Sequence, residues 1–483
     1  MVGVHCPPGV GGDDGDGDGC LPAISNTIRI ARSTTDRQFF GETSTFDGGQ
    51  KSAIKIDLSI WREEIGNRNR LIKLADLAGR VHQSITKYRK SATTTIDQAK
   101  GKGQGAKLVW SMVIRQAVRM LSNSILFLSE ADARHCFPVS LAIAANRKAL
   151  ASLRNGDDGG AVVPPRIGLP YPCLTADSTT SSLSTSCSPA DWSLFKPAAY
   201  YPPTDESDDE ILMGMKLVSI RANNPMKFNK PTVPATTMLI NAETGEVSAI
   251  VAATYLTAAR TAAGSALATE IALADRPTTN LTLVVFGAGL QAELHIKSIQ
   301  HVVNISKLVI INRSLERADK LKEMILNEQP GFDITTALLT NDKEVQEAVE
   351  MADIIATTTN TITPLFRGEW IKSGCHINGV GSYTPLMQEV DEVSVRRCEI
   401  IMDTKEALDV GDLACLKHDD ANITGLIGDA LIGRIEFGKR RGLDPNIDCT
   451  FYKSVGTAIQ DVFSAQCAVD NARRMKIGVN VKM

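Results

Sequence analysis

The stretch LTLVVFGAGLQAELHIKSIQHVVNISKLVIINRS, residues 281–314, constrains this chain more than any other, because it prescribes both a local topology and a ligand class. Residues 281–286 form a short, largely apolar run, as a strand buried within a parallel sheet requires. A Gly-rich turn follows at once. Gly287, Gly289 and Ala292 spell G-x-G-x-x-A. The first Gly permits the tight turn, the second lets a pyrophosphate approach the backbone, and the small third residue lets helix and strand pack closely. Residues 290–303 then predict a helix whose amino-terminal N–H groups face the phosphates. Residues 307–311 predict a second strand, which completes a β-α-β dinucleotide unit. Where a site for NAD places Asp or Glu against the ribose hydroxyls, this chain has Asn312, Arg313 and Ser314. No carboxylate there repels a 2′-phosphate, and a guanidinium is placed to pair with one. The expected cofactor is therefore NADP(H) in preference to NAD(H), with NAD(H) still possible.

At 483 residues with 43% apolar side chains, the chain can build two or three ordinary cores. Lys and Arg number 52 against 55 Asp and Glu, a formal charge of −3, and no basic block marks a nucleic-acid footprint. Neither a membrane span nor a secretory signal is legible. The ten Cys are scattered without C-x-x-C pairs, as expected of reduced thiols in a cytoplasmic protein with no metal site. DGDGDG at 14–19 imitates the start of a calcium loop, but its twelfth position is Ser25 rather than Glu, so a flexible acidic tail is expected. Residues 1–50 are expected to be disordered. No chemistry is assigned to residues 55–122.

From about residue 124 the pattern changes. Ser129 and Asp132 make a capping box, and Pro138 divides the following segment into two short helices. A Ser/Thr-rich interval at 175–188 reads as a surface loop. MGMKLVSI and ATTMLINAETGEVSAIV read as strands, with ETGE as a hairpin tip, and YLTAARTAAGSALATEIAL reads as a helix leading into the nucleotide motif.

AARTAAGSALAT, FGAGLQAE, ADIIATTTNT, GCHINGVGSYTP and FYKSVGTAIQDV occur in the order and spacing of the ornithine cyclodeaminase and mu-crystallin family, and the chain resembles that family from about residue 124 to its end. The resemblance implies an α/β fold in which a Rossmann domain is inserted into an α/β substrate-binding and dimerisation domain. The boundaries expected are an extension of unassigned function over 1–123, the first part of the substrate domain over 124–258, the Rossmann domain over 259–430, and a carboxyl-terminal return over 431–483. A homodimer acting on a small imino or amino acid is implied, with no nucleic acid and no membrane.

The resemblance also carries residue roles. Arg166 and Arg260 match the family's carboxylate-binding arginines, and Lys216 its active-site lysine, a proton donor. Chemistry agrees, since a substrate carboxylate needs fixed cations. Thr232, Leu290, Gln291 and Thr359 match dinucleotide contacts. Asn378 and Val380 in HINGVG lie beside the nicotinamide, and Ser454 and Gly456 in KSVG close over it. Cyclodeaminases of the family keep an Asp after the VGG turn to bind the distal amine, whereas this turn reads VGSYTP and the aligned residue is Tyr383. A phenol cannot supply that charge near neutrality. Reduction of a cyclic ketimine is thus the expected activity. The alternatives are an ornithine or lysine cyclodeaminase, with Glu389 or Asp391 replacing the missing Asp, an open-chain amino acid dehydrogenase, and an NADP-dependent ligand-binding protein.

Overall fold

A computed structural model describes residues 124–153, 159–170, 191–203, 210–277, 279–409, 411–416, 420–440 and 443–482. The sequence features at 14–19, 55–122 and 175–188 lie outside these residues.

Two eight-stranded sheets organise the described residues. The first is built from β1 (Ser124–Leu128), β2 (Ala161–Val162), β3 (Ile167–Pro170), β4 (Trp192–Tyr200), β5 (Leu212–Ile220), β6 (Ala235–Ile240) and β7 (Val247–Ala252). The second comprises β8 (Leu281–Phe286), β9 (Ile305–Asn312), β10 (Asp333–Leu338), β11 (Ile354–Thr357), β12 (His376–Gly379), β13 (Cys398–Met402), β14 (Ile423–Leu426) and β15 (Cys449–Lys453). Finally β16 (Val479–Lys482) returns to the first sheet and pairs antiparallel with β1.

The second sheet is parallel throughout, in the order β10-β9-β8-β11-β12-β15-β13-β14. Its strands are apolar on both faces because both are covered: Val284 and Phe286 enter one core and Leu283 and Val285 the other. The strand-helix-strand unit at 281–312 forms as the sequence predicts, its helix spanning Leu290–Val302. Placement of β15 between β12 and β13 carries the nucleotide sheet on to Lys453, beyond the boundary expected at 430. The return begins only with the helix Ala458–Met475.

In the first sheet the order is β16-β1-β7-β6-β5-β4-β2, with β3 pairing with β4 off this path, β1 and β7 parallel and the other pairs antiparallel. The ETGE tip joins β6 to β7, closed by Asn241 N donating to Glu246 O at 2.8 Å. The capping box is also present: Asp132 N donates to Ser129 Oγ at 3.2 Å and Ser129 N to Asp132 Oδ2 at 3.0 Å. Pro138 separates the helices Glu130–Cys136 and Val139–Ala151. One face of this sheet packs on Ala458–Met475, where Val462 Cγ2 would sit 3.3 Å from a Cβ placed at Gly214. The opposite face carries a straight cross-strand row, Val479, Phe127, Ile250, Met238, Met215 and Pro197. No element among the described residues covers that row fully, and Val479 and Phe127 are exposed. Among the described residues no helix is long and apolar enough to cross a membrane.

Candidate active site

The Ala-rich helix Thr254–Ala272 lies at the junction of the two sheets. Its small residues bury nearly the whole helix, and they leave Arg260 no local partner. The partner comes instead from Ala458–Met475. Residues 458, 461, 465, 468 and 472 of that helix fall on its buried side, and one of them is Asp461. Arg260 Nε donates to Asp461 Oδ1 at 3.0 Å, and Lys216 Nζ to the same oxygen at 2.6 Å. Lys196 Nζ stands 3.5 Å from Oδ2, too loosely placed for a formed hydrogen bond, and donates to the Gly456 carbonyl at 3.2 Å. All four side chains come from residues no more than 5% exposed.

Burial works against the Asp461 anion, but Lys216, Lys196 and Arg260 overcome it and hold the carboxyl well below its ordinary range. Burial pushes Lys196 down to about 8, with Asp461 opposing and Arg260 and Arg166 adding to the effect. Lys216 is pushed well down by burial, again against Asp461. Arg166 reaches the same region: it is half-buried, and its charge acts on both Lys196 and Glu406. Of the three cations expected from the sequence, Lys216 and Arg260 meet on Asp461, and Arg166 acts on Lys196 through its charge. Lys196 and Asp461 were not anticipated. Their signal was present, since Lys196 lies between the buried Leu194 and Ala198 on one face of β4, and Asp461 lies on the apolar side of its helix.

Gly456 closes this cluster from above. Its φ is +78°, and a Cβ there would lie 2.5 Å from Arg260 Nη1. The KSVG turn is held by Asp403, which accepts from Ser454 Oγ at 2.9 Å and from Gly456 N at 2.6 Å. The Ser454 hydroxyl is thereby engaged in shaping the turn.

Apart from Thr232, the expected cofactor residues lie at the carboxyl ends of the parallel strands, where such sheets bind ligands. Gly287, at φ +114°, has no room for a side chain, because a Cβ would lie 2.5 Å from Thr358 Oγ1. At Gly289 the reverse holds: nothing lies within 4 Å of a Cβ, and the helix that begins at Leu290 has no side-chain cap. A pyrophosphate can therefore approach the backbone at Gly289, with no capping side chain to compete for the helix N–H groups. Gln291 Oε1 and Asn378 Oδ1 are buried without hydrogen-bond partners among the described residues, although Asn378 Nδ2 donates to Thr269 Oγ1 at 3.0 Å. The residues present fit a dinucleotide.

At the end of β9, Arg313 is exposed and has no ion pair among the described residues. Its neighbours have local work. Asn312 Nδ2 donates to Ser314 O at 2.9 Å, and Ser314 Oγ caps the helix Leu315–Glu328. Val380 follows β12, its N–H donating to Thr357 O at 3.2 Å. Thr359 donates through both N and Oγ1 to Glu389, at 2.6 and 2.7 Å. Thr232 precedes β6, where its carbonyl accepts from Arg221 N at 2.9 Å, and no hydrogen bond among the described residues joins it to the nucleotide turn.

Tyr383 is half-buried, and burial pushes its phenol up from its ordinary value, so it is neutral. Neither substitute carboxylate is free. Glu389 accepts from Thr357 Oγ1 at 2.8 Å and Gly381 N at 2.6 Å besides Thr359, which ties the ends of β11 and β12 together. Asp391 caps the helix Glu392–Arg396 through Ser394 N at 2.8 Å and accepts from Gly368 N at 2.9 Å.

A model of the ornithine cyclodeaminase/mu-crystallin family matches residues 200–476. An uncharacterized cyclodeaminase of Dictyostelium discoideum is 33% identical over 308 residues, covering 59% of this chain and 82% of the relative. A Delta(1)-pyrroline-2-carboxylate reductase of Bacillus cereus is 31% identical over 281 residues, covering 56% and 80%. The solved structure of Thermococcus litoralis Delta(1)-pyrroline-2-carboxylate reductase in complex with NADH and L-proline matches with a TM-score of 0.61 at 26% identity, over 74% of this chain and 100% of that one.

Proposed function

The chain belongs to the ornithine cyclodeaminase/mu-crystallin family, an NAD(P)-dependent oxidoreductase of imino or amino acids, and on that premise we propose that it reduces a cyclic ketimine carboxylate to the cyclic amino acid. The observation that carries this over cyclodeamination is the state of the carboxylates. Tyr383 occupies the turn, Glu389 and Asp391 are spent on backbone and hydroxyl donors, and Asp461 is already outnumbered by three cations. None of them offers the uncompensated negative charge that a distal ammonium needs. A preformed cyclic imine needs no such group.

The chain's own residues divide the remaining work. Arg260, with Arg166, binds and orients the substrate carboxylate, because a guanidinium fork fixes both position and plane. Lys216 holds a proton for the imine nitrogen. Gly287, Gly289, Leu290, Gln291, Asn378 and Val380 would hold the nicotinamide dinucleotide, which supplies the hydride when bound. NADP(H) is the preferred form on this reading, with unpaired Arg313 meeting the 2′-phosphate, Asn312 and Ser314 shaping its turn, and Ser454 and Gly456 closing over the ring. Thr359 serves the same site through its hold on Glu389, and Thr232 is assigned to it by the resemblance to the family alone. The apolar row on the outer face of the first sheet suits a second copy of the chain and supports a homodimer.

The test is direct. Purified protein, NADPH or NADH, and piperideine-2-carboxylate or pyrroline-2-carboxylate are mixed and nicotinamide absorbance is followed. Turnover with a lower KM for NADPH is expected. Ammonia release from ornithine or lysine with NAD⁺ at a comparable rate, without imine reduction, overturns the reading.

A further inference from the structure

We propose that Lys196 is a tuning residue for the reduction: with Lys216 it forms a like-charged buried pair on a single carboxylate, and the pair, rather than Lys216 alone, holds the proton delivered to the imine nitrogen. This rests on the imine-reductase reading. In the register of β4 and β5, Lys196 lies directly opposite Lys216. Like charges placed so are destabilising even on a surface. Here both ammonium groups face the helix Ala458–Met475 and are nearly fully buried.

The charged groups facing the pair come from every element packed on it. Asp461 lies on Ala458–Met475, Arg260 on Thr254–Ala272, Arg166 before β3, and Asp403 and Glu406 after β13. Asp403 is committed to the KSVG turn. Asp461 must therefore balance Lys216 at 2.6 Å, Arg260 at 3.0 Å and Lys196 at 3.5 Å. A guanidinium keeps its proton under these conditions, so the excess charge loosens the first proton of the doubly protonated lysine pair. Two groups that interact so closely titrate as one system, and the proton belongs to the pair. The lowering of Lys196 to about 8 by burial is consistent with this.

Lys196 is also incompletely bonded, with the Gly456 carbonyl as its one hydrogen-bond acceptor among the described residues. The step balances. The imine carbon takes the hydride of NAD(P)H, the C=N π pair moves to nitrogen, and nitrogen takes the ammonium proton. The pair is left as one ammonium and one amine, and solvent restores the proton.

The experiment compares the pH profile of kcat for imine reduction in wild type, Lys196→Met and Lys196→Arg. Met removes the like charge, so Lys216 keeps its proton longer and the alkaline limb moves up by about one unit or more. Arg fixes a permanent charge beside Lys216, so the limb moves down by about one unit. A purely structural Lys196 moves neither limb, and unchanged profiles overturn the proposal. Lysine-labelled protein followed by ¹³C NMR reads the same titration without turnover. A lysine titrating well below the ordinary range, moving upward in Lys196→Met, supports the pair, and its absence overturns it. If wild type reduces no cyclic imine, the functional reading fails, while the NMR titration still decides the pair.

Discussion

Gly456 is where a single missing side chain sets the geometry of the site. A Cβ would lie 2.5 and 2.6 Å from the two terminal nitrogens of Arg260 and would force the guanidinium aside. Gly456→Ala is expected to lower kcat/KM for the imine roughly 10- to 100-fold, since a displacement of about 1 Å in a positioning group costs this much. The alanine also meets strain at φ +78°, so the melting temperature should fall modestly. Unchanged kcat/KM would show that Arg260 does not orient substrate from its observed position. At this scale the sequence was partly legible. Arg260 was conspicuous because its own helix of small residues could not satisfy it. Asp461 was not, because its charge partners Lys216 and Arg260 lie 245 and 201 residues away and meet it only when the carboxyl-terminal helix returns.

Among the elements, the contact between helices Thr254–Ala272 and Leu290–Val302 fixes the nucleotide turn against the substrate residues. His295, completely buried, bridges them: its Nδ1 lies 2.7 Å from Gln291 O and its Nε2 3.0 Å from Ser265 Oγ. Burial pushes its pKa down to about 4. The unfolded chain, with an ordinary imidazole near 6.5, binds more protons between these values, so stability rises with pH there. It should be complete above about pH 6.5 and fall by about 3 kcal/mol as pH drops toward 4. Denaturant titrations of wild type and His295→Gln would measure this, and an equal pH slope in both would place the effect elsewhere. The same scale explains what the sequence showed of the fold. The unit β8, helix, β9 was legible because one turn, one period and one apolar run agree locally. The position of β15 was not, because insertion between β12 and β13 is a pairing between distant segments, and CTFYK alone prescribes no neighbour. The run of five residues that forms β1 was likewise overshadowed by the capping box behind it.

For the molecule as a whole, strand alternation gives the two faces of the first sheet different side chains and, on the proposed reading, separate uses. Lys216 and Lys196 point toward the helix Ala458–Met475, and their neighbours Met215 and Pro197 point away. The outward row of Val479, Phe127, Ile250, Met238, Met215 and Pro197 crosses six strands and includes the carboxyl-terminal strand itself. A second row, Leu217, Phe195 and Ile167, lies beside it. A contiguous apolar face of this extent supports the proposed association, since each of its large aliphatic or aromatic side chains gains about 1.5–3 kcal/mol on full burial. A two-fold pairing covers the face with a copy of itself and leaves no second site for growth, so a closed dimer rather than a polymer is expected. Met215→Glu places a charge in this row without touching the buried face. It should yield a monomer in sedimentation velocity while far-ultraviolet circular dichroism stays unchanged. Because Lys216 adjoins Met215 on the same strand, kcat/KM in the monomer reports whether the sheet holds its shape alone. Retained activity would mean that the catalytic face is set by Ala458–Met475, whereas a loss on dissociation, with secondary structure intact, would mean that the outer face must be covered for the lysines to stay in register. A Met215→Glu protein that still sediments as a dimer would remove this face from the interface.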